Sequence, residues 1–212
     1  MTSNRGKKST IILVAAKKVF SKEGYHGASI SRIAKEAGVG DGTIYLYFNN
    51  KEDILISLFH NTIYHHFTPS AEKLIEQYSD ARLKLFELVK HHLSYFQNDY
   101  DLARVIQIEA RQSSPNIREA MKEGIRRYSR LIESIILKGQ EDQIFRRDIS
   151  ERVMRKVIFG AIDEVVTSWV ISENRYPLTE KTEEVFKLLL QAVYNIQWLD
   201  FWLQNEKKTG HK

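Results

Sequence analysis

From residue 9 onward, apolar side chains return every three or four positions along nearly the whole chain, and only three prolines interrupt them. That period belongs to helices; a half-buried strand would alternate every second residue. The chain therefore reads as all-α, with about nine helices. Ile12, Ala15, Ala16, Val19 and Phe20 mark the first, which is expected to close at Glu23-Gly24, because glycine tolerates a positive φ. Ser29 is placed to cap a second helix carrying Ile30, Ile33, Ala34 and Ala37, and Gly38 ends it after two turns. Val39-Gly40-Asp41 makes a tight turn, with Asp41 expected to accept from the free amides of a third helix over 42–48. Two short helices joined by a glycine-containing turn form a helix-turn-helix. Asn49-Asn50 breaks the pattern, and Lys51 opens a longer helix to Phe67, which Pro69 is expected to stop or kink.

Longer helices follow over 80–97, 101–112, 116–137, 150–173 and 179–205. The last two carry two apolar faces each. Val185, Leu189, Ala192, Ile196, Leu199 and Leu203 recur at spacings of 4, 3, 4, 3 and 4, while Phe186, Leu190, Tyr194, Trp198 and Trp202 line a second side. One buried stripe suffices for a surface helix, so a second implies a second packing partner. Homodimerisation through 150–173 and 179–205 is the economical answer; the alternative is a helix buried inside a monomer. The expected organisation is an N-terminal unit over 1–50 with a basic arm at 1–8, a larger helical unit over 51–206, and a frayed tail at 207–212.

Charge is divided unevenly. Residues 1–52 hold nine Lys/Arg against four acids, whereas the remaining 160 residues hold 23 of each sign. A basic pole on a helix-turn-helix suits double-stranded DNA, whose neutralised phosphates release counterions; an incidental basic terminus would show the same charge. The chain has no cysteine, which excludes disulfides, thiolate zinc sites and thiol nucleophiles and fits a reducing cytoplasm. No run of about 18 apolar residues predicts a membrane span.

On the third helix Ile44 and Phe48 share the inward face, which leaves Thr43, Tyr45 and Tyr47 toward the outside. A helix of two turns buries too little to sustain itself, so its outward tyrosines are read as DNA contacts, ring on sugar and hydroxyl on phosphate. Leu46 could meet a thymine methyl. Gly42 lets backbone approach phosphate, and Lys51 could hold one together with the amides of the next helix.

These residues carry a resemblance. Ser29-x-x-x-Ile33-Ala34-x-x-Ala37-Gly38-Val39 followed by Gly42-Thr43-Ile44-Tyr45-x-Tyr47-Phe48-x-Asn50-Lys51-x-x-x-Leu55 is similar to the DNA-binding domain of the TetR family of bacterial transcriptional repressors. It implies an all-helical homodimer with an N-terminal helix-turn-helix reader and a C-terminal ligand-binding and dimerisation domain, bound to a palindromic operator. It also implies DNA contacts from Ser29, Ser31, Gly42, Thr43, Tyr45, Tyr47 and Lys51. Many members carry serine where this chain has Gly40, which leaves capping to Asp41. The blocks "IEARQSSPNIREAM" and "IFGAIDEVVTSWV" further resemble a branch of that family, the fatty-acid-degradation repressors of Bacillus-like bacteria, and imply long-chain acyl-CoA as effector.

An acyl-CoA needs an apolar tunnel and cations for its phosphates. Candidate lining residues are Phe86, Phe96, Ile108, Met121, Ile125, Tyr128, Phe159, Ile162 and Trp169, with Arg104 and Arg111 for the anionic end. Each would serve equally as ordinary core or as solvated helix face. The alternatives are an aromatic or cationic drug-like effector, which needs acids in the pocket, and a lipid-binding or hydrolytic protein, for which no nucleophile–base pair is readable. No catalytic or metal site and no cofactor is expected. The pairs His65-His66 and His91-His92 diverge by about 100° on a helix and are read as exposed.

Overall fold

The computed structural model describes the backbone of residues 4–109, 111, 114–172 and 176–194, and side chains from Gly6 onward. Among the described residues ten α-helices make nine separate rods: α1 Asn4–Gly27, α2 Ile30–Ala37, α3 Asp41–Tyr45, α4 Lys51–Phe59, α5 Thr68–Ile75, α6 Ala81–Gln97, α7 Tyr100–Arg104, α8 Pro115–Glu141, α9 Glu151–Ile171 and α10 Thr182–Val193. α4 and α5 are one rod, joined by a π-helical stretch His60–Phe67, and a second π-helical stretch, Val105–Glu109, extends α7.

The first turn of the chain falls where glycine was expected. At Gly24 the backbone takes φ 73° and ψ 159°, outside helical space, and α1 bends there. Ile12, Ala16, Val19 and Phe20 pack from α1 onto Ile33, Ala34, Ile44 and Phe48, which closes a small reader core. Ser29 caps α2 by accepting from Arg32 N at 3.2 Å, and Gly38 ends it at φ 67°.

Pro69 neither stops nor breaks its rod, contrary to expectation. The π-helical stretch bonds each amide five residues back, as Thr68 N does to Ile63 O. Pro69 has no amide for the next bond of that pattern, which would leave Tyr64 O unmet. Arg127 Nη1 of α8 donates to it at 3.0 Å. The same guanidinium pairs with Glu72 across two bonds of 2.6 and 3.0 Å, so Arg127 staples α8 to α5.

α8 runs through the centre. It buries Ile117, Met121, Gly124, Tyr128, Leu131, Ile132, Ile135, Ile136 and Gly139, a stripe of alternating three- and four-residue steps. At Gly139 the ring of Phe145 lies on the backbone, so close that an added Cβ would stand 2.1 Å from it. Gly139 O accepts both Ile144 N and Phe145 N at 2.9 Å.

α10 is shorter than the expected 179–205. It closes at Val193, and Tyr194 is extended, bridged antiparallel to Phe145 while Val193 O accepts from Arg146 N at 2.9 Å. Ile196, Trp198, Leu199, Trp202, Leu203 and the tail at 207–212 lie outside the described residues, as does the start of the arm at 1–8.

Candidate functional site: a reader and a cavity

The reader is built from the start of α2 and the whole of α3. α3 hides Ile44 and holds Tyr45 and Leu46 out, 58% and 70% exposed. Such exposure of a tyrosine and a leucine side by side gains nothing for the fold. Gly42, Ser29 and Ser31 are exposed, while Thr43 and Tyr47 are half-buried, Tyr47 against the reader core. Asp41 does not cap α3: the cap position is Gly40, without a side-chain bond, and the Asp41 carboxylate accepts from the Ser31 hydroxyl. The pair ties the two helices of the motif together where a capping bond would have served α3 alone.

Lys51 makes contacts within the chain that the sequence did not indicate. Its ammonium donates to Ala28 O at 2.7 Å and His26 O at 3.3 Å and lies 4.7 Å from the Tyr25 ring centre. Partial burial lowers its pKa. The residue thereby pins the start of α4 to the α1–α2 turn, with Asn50 capping α4 through Asp53 N at 2.8 Å.

The second site is a cavity of about 370 Å³ between α4, α6, α8, α9 and the two π-helical stretches. That is within the size range of small-molecule sites. Of the residues expected from sequence, Phe96, Arg111, Met121, Ile125, Tyr128 and Phe159 line it; Phe86, Arg104, Ile108, Ile162 and Trp169 do not. Phe86 stacks edgewise on Phe186 at 5.2 Å, and Ile108 packs at the side of the core. Ile162 is wholly buried in the core. Trp169 leans on Tyr100 and donates to Tyr176 O at 2.8 Å. Arg104 lines a separate polar hollow with Ser21, Lys22, Tyr100 and Asp101.

Phe59, Ile63, Phe67, His92, Ile106, Gln107 and Asp163 complete the lining. His92 was legible as an oddity, since it falls on the same face as Leu85, Leu88, Val89 and Phe96. The expectation that both histidine pairs are exposed fails here: His65 and His66 are exposed, but His92 is only 2% exposed and His91 half-buried. Apolar walls take water from the ring, so burial pushes the His92 pKa down to about 3, with His91 beside it adding to the shift. Burial raises the Tyr128 hydroxyl far above its ordinary value. One end of the cavity is polar: Arg111 pairs with Asp163 and donates to Gln107 Oε1 at 2.7 Å, while Gln107 Nε2 donates to Asp163 at 2.9 Å. Arg118, Arg126 and Arg130 are exposed along α8. Among the described residues no cluster of three His, Asp or Glu could hold a metal, and no helix is long and apolar enough to cross a membrane.

A single stretch links the cavity to α1, against which α2 packs. From residues 99 to 111, Ile106, Gln107 and Arg111 line the cavity. On the other side Asp99 pairs with Lys17, Asp101 accepts from Ser21 Oγ at 2.7 Å, and the buried Glu109 accepts from Tyr25 N at 2.8 Å beside the bend at Gly24. Glu52 at the start of α4 accepts from Ser114 Oγ.

Both halves match known proteins. The family profile described as "Bacterial regulatory proteins, tetR family" matches residues 12–58, and that described as "YsiA-like protein, C-terminal region" matches residues 59–192. The chain belongs to the TetR family. Within it, the chain is 39% identical over 184 residues to the fatty acid metabolism regulator protein of Bacillus subtilis, covering 87% of this chain and 94% of that one. The fold matches the fatty acid degradation regulator FadR from Bacillus halodurans at a TM-score of 0.84 and 42% identity, covering 87% and 95% of the two chains. FadR from Bacillus subtilis, solved in complex with stearoyl-CoA, matches at 0.82 and 38% identity over 87% and 99%. These TetR-family relatives are transcriptional regulators, and this chain is a transcriptional regulator of the same all-α build, not an enzyme.

Proposed function

We propose that this protein is a homodimeric repressor of fatty-acid-degradation genes, held on a palindromic operator by its two readers and released when a long-chain acyl-CoA enters the cavity. The observation that carries the reading is the cavity: predominantly apolar in lining, with Arg111 at its polar end, in a chain similar to a regulator solved with stearoyl-CoA. The acyl chain lies among Phe59, Ile63, Phe67, Phe96, Met121 and Phe159, and exposed arginines of α8 meet the CoA phosphates, for which a planar guanidinium is suited.

Dimerisation draws support from α9. Val153, Val157, Gly160, Ala161, Glu164, Ser168 and Ile171 form an exposed stripe along it, and Leu188 stands 69% exposed on α10. Covering these stripes with a second copy brings two α3 helices to successive major grooves about 34–36 Å apart. Residues 1–50 then read the operator and 51–206 hold effector and partner. Ser29, Ser31, Gly42, Thr43, Tyr45, Tyr47 and Lys51 contact DNA, and Lys51 also ties the start of α4 to the α1–α2 turn. Ligand acts through its difference in affinity between the DNA-competent and released postures, carried by the stretch from residue 99 to 111.

A cationic effector finds little to bind, because the one acid among the lining residues, Asp163, is already neutralised by Arg111. The test is a gel shift on a palindromic operator titrated with palmitoyl-CoA or oleoyl-CoA. Loss of the shifted band is expected; an undiminished band at saturating ligand defeats the effector assignment.

A further inference from the structure

Starting from the acyl-CoA reading, on which the assignment rests, we infer that His92 Nε2–H is the hydrogen-bond donor that receives the thioester carbonyl oxygen of the effector. His92 lines the cavity and is walled by the rings of Phe67 and Phe96, each 5.2 Å away, and Tyr128 at 5.6 Å. Its Nε2 is buried and has no hydrogen-bond partner among the described residues. An unmet polar atom in such a place destabilises the fold, and native structures hold few of them. Phenylalanine or leucine would fill the same space without that penalty.

The position of the proton follows from counting. His92 Nδ1 stands 2.9 Å from the Tyr128 hydroxyl, the one hydrogen-bond partner that hydroxyl has among the described residues. A neutral imidazole carries one N–H. With the proton on Nδ1, the Tyr128 O–H would point at no acceptor and the Nε2 lone pair would also go unmet. With Tyr128 donating to Nδ1, the proton sits on Nε2, and only that one group remains to be satisfied. Burial keeps the ring neutral throughout the physiological range.

An uncharged donor inside apolar walls selects an uncharged acceptor. It offers a phosphate no countercharge, and it offers an alkyl chain nothing. A carbonyl oxygen fits, and an acyl-CoA carries one where the chain meets the sulfur. An oxo group farther along the chain has the same chemistry, and the ligands below separate the two sources.

The experiment compares palmitoyl-CoA, the thioether S-hexadecyl-CoA and 3-oxopalmitoyl-CoA by titration calorimetry on the full-length protein. The expected result is palmitoyl-CoA binding about tenfold more tightly than the thioether, the worth of one buried hydrogen bond. In His92→Phe the two should bind alike. Because that variant leaves the Tyr128 hydroxyl unmet, the double variant His92→Phe/Tyr128→Phe is measured beside it, with the same loss of discrimination expected. Equal binding of thioester and thioether to the wild type overturns the assignment to the thioester. Tighter binding of the 3-oxo chain alone, lost in His92→Phe, moves the carbonyl along the chain. Discrimination that persists in both variants removes His92 from it altogether. If none of the three ligands binds, the acyl-CoA reading itself has failed.

Discussion

Glycine in a helix interior costs about 0.8–1 kcal/mol relative to alanine, so each of the three in α8 and α9 needs a reason. Gly139 yields to the Phe145 ring, and Gly124 has Ile63 and Phe59 3.3–3.4 Å from where a Cβ would stand. Gly160 has nothing within 4 Å inside its own protomer. It lies on the exposed stripe of α9, where a partner helix would approach to 8–10 Å between axes. Gly160→Ala therefore has opposite effects on two quantities. The protomer gains about 0.8–1 kcal/mol of helix stability, worth about 2–4 °C in Tm for a chain this long. The proposed dimer would take an extra methyl from each copy at a two-fold contact. At about 1–3 kcal/mol of overpacking apiece, association weakens by about 2–6 kcal/mol, or roughly thirtyfold or more in Kd. Sedimentation velocity across a dilution series, with melts at the lowest concentration, reads both. A variant that melts higher yet dimerises as tightly as the wild type refutes the placement of Gly160 in the interface.

Gly139→Ala should lower stability by several kcal/mol despite better helix propensity, because the 2.1 Å approach drives the buried Phe145 ring out; urea unfolding measures it. Tyr45→Ala should weaken operator binding at least tenfold with Tm unchanged, since the ring is 58% exposed. Lys51→Ala should lower both, since its ammonium holds two carbonyls of the α1–α2 turn; anisotropy on labelled operator and thermal melts separate the two. His91 and His92 titrate at about 4 and about 3 in the fold, against about 6.5 when unfolded. The contribution of these two rings to stability is therefore fully present above pH ~6.5 and is lost as pH falls and the unfolded state takes up protons, by up to ~1.4 kcal/mol per pH unit for each ring. Chemical denaturation between pH 6.5 and 4 should show a shallower slope for His92→Phe.

What the sequence made legible was local. Ser29, Gly38 and Gly24 announce their turns through side-chain reach and permitted φ, and Ile44 with Phe48 fixes which side of α3 faces inward. Tertiary pairing was hidden. Asp41 finds Ser31 ten residues back, and Lys51 finds carbonyls more than twenty residues back. Pro69 is harmless only because Arg127, far along the chain, supplies the bond it lacks. The cavity was half legible. Phe59, Ile63 and Phe67 stand four residues apart and were missed because an apolar stripe at helical spacing looks the same whether it lines a cavity or fills a core. His92 was missed because a histidine beside another histidine reads as surface.

The stretch from Asp99 to Arg111 also bears on timing. Its cavity side would feel the proposed effector, and its other side holds α1 through Lys17, Ser21 and Tyr25. Mutual influence between two sites is equal in both directions, so a molecule clamped on chromosomal DNA is the poorer sensor by the same factor that effector loosens its grip. Unbound copies fill first. Under the proposed function that reservoir competes for effector before genes reopen, so the threshold for induction would rise with the number of idle regulators as well as with the chemistry of the cavity.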